Sequence, residues 1–254
     1  MITSKTNELI KHVKSLHQKK FRDEYKEYFV EGVKLINEAI SENKEIIKIL
    51  ICDELLREEF SIPSENIVEY VAKNVFEYVS DTQSPQGILA VIKMDEFKGE
   101  VCENTVFALD DLQDPGNLGT ILRSLDSAGI NTLLLSKDTV DLYNPKVIRS
   151  TMGAIFRVKV LDNLDLKEEL LKLKKAGYKV VITSLDTNEM HYNLNFSDRL
   201  VIVIGNEAKG VKKEIQELAD IKVKIPMLGK TESLNASVAA SVIAYEKVRQ
   251  QVYH

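Results

Sequence analysis

Two periodicities run through this chain. Leu9, Val13 and Leu16 recur at near-helical spacing among polar residues, which predicts an amphipathic helix in the opening stretch. Residues 29–40, FVEGVKLINEAI, read as a short extended piece that turns at Gly32 into a helix carrying Val33, Ile36 and Ile40. Three apolar, β-branched runs follow, IIKILI at 46–51, NIVEYV at 66–71 and GILAVI at 87–92. Each predicts a strand, with room between them for short helices at 53–58 and 73–79. Residues 1–93 thus form a small α/β unit. The polar stretch 94–104, which contains Gly99, breaks the pattern and reads as a linker.

From 105 to 254 a second series begins. Strand-like runs fall at 105–110, 131–136, 156–160, 178–184, 200–205 and 220–225, with helix-like stretches at 117–128, 144–151, 165–176 and 209–218 and a long one at 233–251. Strands alternating with helices predict a mostly parallel sheet covered on both faces.

Composition changes this picture little. The chain of 254 residues has four histidines and two cysteines, Cys52 and Cys102, too few for a disulfide scaffold or a repeated metal-ligand pattern. No metal is expected, and cytoplasmic residence with free thiols is the default. No apolar run reaches the roughly 18 residues needed to span a bilayer, and the opening MITSKTNELIKHVK lacks the apolar core of a signal peptide.

Charge is more informative locally than globally. The formal net charge of -5 argues against coating nucleic acid through bulk charge. Residues 1–22, however, carry six bases against Glu8 alone, and residues 42–77 carry nine acids against four bases. A basic arm ahead of an acidic small domain suits contact with a polyanion.

Chemistry concentrates in three loops of the second series, where the carboxyl ends of parallel strands present ligand-binding groups. The first, LDDLQDPGNLGTILRSLDSAG at 109–129, is shaped by Pro115, Gly116 and Gly119, and a helix starting near Asn117 places Asn117 and Arg123 about two turns apart, close to one face. The second, IGNEAKGV at 204–211, lets a ligand approach backbone amides but lacks both the P-loop ending and the dinucleotide fingerprint. Glu207 there suits a helix cap or a lysine partner as well as a site. The third, IPMLGKTESLNASVAASVIAYE at 225–246, offers Ser233 or Asn235 as a cap for the last helix, whose Ala236, Ser237, Ala239, Ala240, Ser241 and Ala244 allow close packing, read here as packing on another subunit.

Taken together, these segments resemble the SpoU/TrmH family of RNA ribose 2'-O-methyltransferases, within the trefoil-knotted SPOUT methyltransferases. The family's Asn, Gly and Arg appear as Asn117, Gly119 and Arg123, its G-x-E-x-x-G element as Gly205, Glu207 and Gly210, and its I-P-M-x-G and S-L-N elements at 225–229 and 233–235. The first domain resembles the family's small L30e-like substrate-binding domain, with VEG at 30–32 and SPQGILAV at 84–91. Ala236 stands where many relatives place valine.

The resemblance implies a fold that alternation cannot supply: an α/β parallel-sheet SPOUT domain closed by a deep carboxyl-terminal trefoil knot, an exception to the usual absence of knots. It implies S-adenosyl-L-methionine as cofactor, released as S-adenosyl-L-homocysteine and held by Thr183, Ser184, Leu185, Ile204, Gly205, Ile225, Met227, Ser233, Leu234 and Asn235. It implies a homodimer through the knotted domain, and a catalytic set of Asn117, Arg123, Glu207, Ser233 and Asn235. Because a guanidinium does not give up its proton in proteins, Arg123 is assigned electrostatic activation of the 2'-hydroxyl, with a phosphate oxygen or water taking the proton. RNA contacts are expected from Lys11, Lys14, Lys19, Lys20 and Arg22. Ribosomal RNA is the favoured substrate, because a separate amino-terminal domain resembles the ribosomal members. A transfer RNA methyltransferase and a catalytically silent knotted RNA-binding factor are the alternatives.

Overall fold

The computed structural model describes residues 1–97 and 101–252, so part of the expected linker, residues 98–100, lies outside the described residues. The chain divides into two compact units, Met1–Glu96 with Tyr143–Phe156, and Phe97–Leu142 with Arg157–His254.

In the first unit, α1 (Glu8–Ser15) and α2 (Lys19–Tyr25) lead into β1 (Glu27–Glu31), α3 (Val33–Ser41), β2 (Ile46–Ile51), β3 (Val68–Tyr70), α4 (Lys73–Val79) and β4 (Ile88–Lys93). The sheet order is β1-β4-β2-β3, with β4 antiparallel to both neighbours and β2 parallel to β3. Asn7 caps α1 by accepting from the Leu9 amide, and Ile10, Val13 and Leu16 are fully buried with Val75, Phe76 and Val79 of α4. The basic stretch is therefore a core layer of the unit, with its lysines on the outside, and not a separate arm.

Two expectations here need correction. The helix at 53–58 is absent: the Leu55 and Leu56 amides both bond to the Cys52 carbonyl in one turn, and no regular element follows until the 3-10 turn Glu65–Ile67. Arg57, Glu58 and Glu59 are all exposed and supply no apolar face to hold a helix against the sheet. The strand at 66–71 is likewise shortened to Val68–Tyr70 by that turn.

The second unit is built on β5 (Thr105–Leu109), α5 (Pro115–Ser127) and β6 (Thr132–Ser136). The next helix, α6 (Pro145–Thr151), counts with the first unit, where it packs on β1, Tyr143 meets the Tyr28 ring at 4.6 Å and Arg149 pairs with Asp81 at 2.6 Å. The second unit resumes with β7 (Lys159–Leu164), α7 (Leu166–Lys175), β8 (Lys179–Thr183), β9 (Leu200–Ile204), α8 (Lys213–Gln216), β10 (Ile221–Val223) and α9 (Ala236–Val252). All its strand pairs are parallel, in the order β10-β8-β9-β5-β6-β7.

Val106, Ala108, Val201 and Val203 pack with Leu166, Leu170, Leu173 and Ile215 of α7 and α8. The alternate residues Phe107, Leu109 and Ile202 are buried too, so both faces are covered as the alternation predicts. β7 begins later than the expected 156–160 because residues Ala154–Phe156 form a 3-10 turn, and α8 is shorter than 209–218. Among the described residues no helix is long and apolar enough to cross a membrane.

Candidate functional site

Parallel pairing puts the carboxyl ends of β5, β8, β9 and β10 on one edge of the sheet. Leu109 is in register with Ile204, Ile182 with Val203, and Val223 with Thr183. The residues that follow, Asp110, Ser184, Gly205 and Lys224, therefore open the loops along that edge.

The second loop closes on itself. The Asn206 amide donates to the Gly210 carbonyl at 3.1 Å and the Gly210 amide returns a bond of 2.9 Å. The Asn206 side chain accepts from the Ala208 and Lys209 amides and donates to the Asp111 carbonyl at 2.8 Å, tying this loop to the first. Gly205 is required by close approach: a Cβ there would fall onto the Gly210 carbonyl carbon and the Val211 amide nitrogen.

Glu207 then reaches across to the start of α5. Its Oε1 accepts from the Asp114 amide at 3.1 Å and from Asn117 Nδ2 at 2.9 Å, and its Oε2 accepts from the Gln113 amide at 3.2 Å. Burial opposes ionisation of Glu207, but the bonds from Asn117 and from the backbone amides outweigh it and hold the carboxyl below its ordinary value. Helix α5 begins at Pro115, with Asp114 as its cap accepting from the Asn117 amide at 2.7 Å. A capping acid followed by proline at the first helical position is a readable start signal that places the helix two residues before the expected Asn117.

The third loop joins the same cluster. Asn235 donates from Nδ2 to Asn117 Oδ1 at 3.0 Å, while its Oδ1 accepts from the Ser237 amide at 2.9 Å and the Ser237 hydroxyl at 2.7 Å. Asn235 is thus the cap of α9, as expected, and also the link from α9 to α5. The two helices meet again where the Ser241 and Ser124 hydroxyls lie 2.7 Å apart. Ala236, Ser237, Ala240 and Ala244 are buried within the chain, so these four serve internal packing and not the expected subunit contact, while Ala239 and Ser241 are half-buried.

Asn117, Glu207 and Asn235 are therefore brought together, and Arg123 is not bonded to them. Six residues at 100° each leave Arg123 about 120° around α5 from Asn117, so the two do not share a face. Asn117 is 9% exposed and uses its whole amide on Glu207 and Asn235, whereas Arg123 is exposed, with no side-chain partner among the described residues. Ser233 is exposed and makes no hydrogen bond among the described residues.

At the same edge, the Ser184 amide donates to the Val223 carbonyl, Thr183 is partly buried, and Ile204 and Gly205 are buried. Ile225 and Met227 are partly exposed, Leu185 and Leu234 are exposed, and Leu228 is 99% exposed. Among the described residues, the amides and carbonyls of 225–234 make no hydrogen bond. Unused backbone donors and acceptors beside apolar side chains suit a flat heterocycle with a polar edge.

Sequence reasoning missed the groups that hold the edge together. Asp110 is buried, accepts from the Lys212 amide at 2.7 Å and faces its ammonium at 3.7 Å; Lys212 also pairs with Asp138 at 2.6 Å. Burial pushes the Asp110 carboxyl up against the pull of Lys212. Asn206 was legible as a turn-forming residue flanked by glycine; Asp110 carries no local signal. Among the described residues, no three His, Cys, Asp or Glu side chains gather as a metal site.

Of the expected RNA contacts, Arg22 is corrected: it is 3% exposed and donates to the Leu16 carbonyl at 2.6 Å. Lys11, Lys19 and Lys20 are exposed, with Lys11 paired to Glu8, and Lys14 lies 5.1 Å from the centre of the Tyr78 ring.

The SpoU rRNA Methylase family model matches residues 104–245 and an MRM3-like substrate binding domain model matches residues 7–90. The 23S rRNA (guanosine(2553)-2'-O)-methyltransferase RlmP of Bacillus subtilis (strain 168) is 34% identical, covering 96% of this chain and 97% of that protein. A solved RNA 2'-O ribose methyltransferase superposes with a TM-score of 0.82 at 30% identity, covering 99% of both chains. The AdoMet-bound rRNA methyltransferase from Sinorhizobium meliloti gives 0.85 at 27% identity, covering 98% of this chain and 97% of that one. With a family model matching more than half its length and relatives aligned end to end, the chain belongs to the SpoU rRNA methylase family.

Proposed function

We propose that the protein transfers a methyl group from S-adenosylmethionine to a ribose 2'-hydroxyl of RNA, with ribosomal RNA as its substrate. The observation that carries this reading is the bonded cluster Glu207–Asn117–Asn235, which ties three loops together at one sheet edge while leaving Arg123 unpaired. End-to-end similarity to a ribosomal RNA methyltransferase supports the substrate class.

The cofactor supplies an electrophilic methyl group on a sulfonium. Leu185, Ile225, Met227 and Leu234 would hold its apolar parts and the free backbone groups of 225–234 its polar edges, which fits the donor set present. Arg123 favours the alkoxide as the ribose hydroxyl loses its proton to a phosphate oxygen or water. Asn117, Glu207 and Asn235 act as positioning residues that hold α5, and with it Arg123, against the loops. Ser233, next to the cap of α9, is assigned a substrate contact.

Residues 1–93 select the RNA in this proposal, 94–104 link, and 105–254 carry the transfer. The carboxyl-terminal trefoil knot belongs to the same reading; β10 beside β8 at the sheet edge and the return of the chain to α5 through Asn235 support it. A homodimer through the outward face of α9, where Val238, Tyr245 and Val252 are exposed, replaces the small-residue surface. Cytoplasmic residence, which a chain with only two cysteines suits, belongs to the same proposal.

The test is incubation with labelled S-adenosylmethionine and separated ribosomal and transfer RNA, followed by nucleoside analysis. Label in 2'-O-methylnucleosides of ribosomal RNA is expected. Label confined to transfer RNA would replace the substrate, and no transfer to either would leave a silent RNA-binding factor.

A further inference from the structure

One feature that this mechanism does not use lies within the first unit. A cavity of about 420 Å³ opens there, lined by the buried or half-buried Val33, Leu55 and Pro85 as its floor and by the exposed Arg57, Glu58, Ser84 and Gln86 as its rim. That size falls within the range of about 300–1,000 Å³ typical of small-molecule sites.

Both walls are fixed from behind. The buried Glu31 carboxylate accepts from the Thr82 hydroxyl and the Gln86 amide at 3.0 Å each and from the Ser80 hydroxyl at 2.8 Å, which clamps the loop carrying Pro85 and Gln86. Gly32, at φ +102°, lies against the Gln86 side chain, where a Cβ would collide with it. On the other side, a Cβ on Gly87 would strike the backbone of Leu55 and Leu56, so the turn after β2 presses directly on the residue before β4. The VEG and SPQG elements are thus the two halves of one pocket frame.

The rim is chemically unspent. Neither Arg57 nor Glu58 has a hydrogen bond or ion pair among the described residues, although they are neighbours of opposite charge at the mouth of an apolar floor. A carboxylate accepts two parallel N–H bonds, and a guanidinium donates two to a pair of acceptors. Guanine alone among the four bases offers both: N1–H and N2–H₂ as adjacent donors, and O6 with N7 as adjacent acceptors. Its ring would rest on the apolar floor.

We propose that this cavity receives an unpaired guanine of the RNA substrate, with Glu58 on its N1/N2 edge and Arg57 on O6/N7, and so sets sequence specificity. The proposal rests on the RNA methylation reading but concerns recognition and not transfer. Sequence-specific RNA recognition targets unstacked bases, which makes a preformed slot on the recognition unit the appropriate device.

The test uses the full chain with methyl-labelled valine and leucine, titrated with GMP, AMP, CMP and UMP to about 10 mM, ten times a Kd of about 1 mM. Saturable shifts of the Val33 and Leu55 methyl signals are expected, with GMP binding at least about tenfold tighter than the others. Glu58→Gln should abolish that preference and raise the KM for ribosomal RNA about tenfold with kcat unchanged. Shifts equal for all four nucleotides, no saturable shift, or a Glu58→Gln variant with the wild-type preference would each overturn the proposal. Methyl transfer is read in parallel: intact transfer without guanine selectivity defeats the pocket alone, whereas guanine-selective binding without transfer defeats the methylation reading alone.

Discussion

Replacing Glu207 by glutamine tests whether one carboxylate holds the start of α5 in place. The substitution keeps size and shape but gives the group one acceptor oxygen where there were two. Oε1 now serves Asp114 and Asn117, and Oε2 serves Gln113, so an amide must turn its NH₂ toward at least one of those donors. Hydrogen bonds to charged groups contribute roughly 1.5–3 kcal/mol each. Glu207 is exposed, so water competes and about 1 kcal/mol per bond is the appropriate scale. Loss of one bond and of charge assistance in the others gives roughly 2 kcal/mol, or about 4–8 °C in Tm for a chain of this size. The pH dependence has a definite sign. A carboxyl held below its ordinary value stabilises the fold above that value and loses the contribution as pH falls through the depressed one. The gap between wild type and Glu207→Gln should therefore be full at neutral pH and shrink below about pH 4. Calorimetry across pH gives the global figure, and hydrogen exchange at the Gln113 and Asp114 amides gives the local one. A Glu207→Gln protein with unchanged Tm and unchanged protection of those amides at neutral pH would refute the reasoning, as would a gap that persists undiminished in acid.

Further outcomes follow from the same geometry. Arg123→Ala should leave cofactor affinity by calorimetry nearly unchanged while single-turnover methyl transfer falls about 10² to 10³-fold, roughly 3–4 kcal/mol; Arg123→Lys should recover little, because an ammonium lacks the planar set of donors. Gly205→Ala drives a Cβ into the Gly210–Val211 backbone, and a loss of about 1–3 kcal/mol in chemical denaturation, with weakened cofactor binding, is expected. Lys19→Ala and Lys20→Ala should each lower the salt slope of RNA binding by about one, measured by filter binding over a salt series. Arg22→Ala should instead reduce stability with little change in that slope, since its guanidinium is buried on the Leu16 carbonyl.

The element types of this protein are determined locally. Val106, Ala108, Val201 and Val203 belong to runs so apolar that only a strand buried on both faces suits them, and the parallel sheet follows from helices placed between such runs. Helix α4, Lys73–Val79, falls in the room that the flanking strand-like runs leave for it, and its buried Val75, Phe76 and Val79 supply the apolar face that 53–58 lacks. The three glycine-bearing loops and the residues Asn117, Glu207 and Asn235 are likewise legible, since each motif is contiguous in the chain.

What the tertiary structure decided is which of these residues meet. Glu207 bonds a residue 90 positions earlier in the chain and Asn235 one 118 positions earlier, and no local pattern carries such a distance. The same holds for Arg22, whose charge suggests a phosphate and whose position in the packed unit gives it a carbonyl instead. The small residues of α9 look alike whether they face a second subunit or α5, and only packing shows that α5 takes them. Even the 143–156 segment reads as part of the second strand and helix series, yet α6 packs on β1 of the first unit. Burial patterns along a chain specify that a face is covered, while the covering partner is set by long-range contacts whose free energy exists only once the whole unit has assembled.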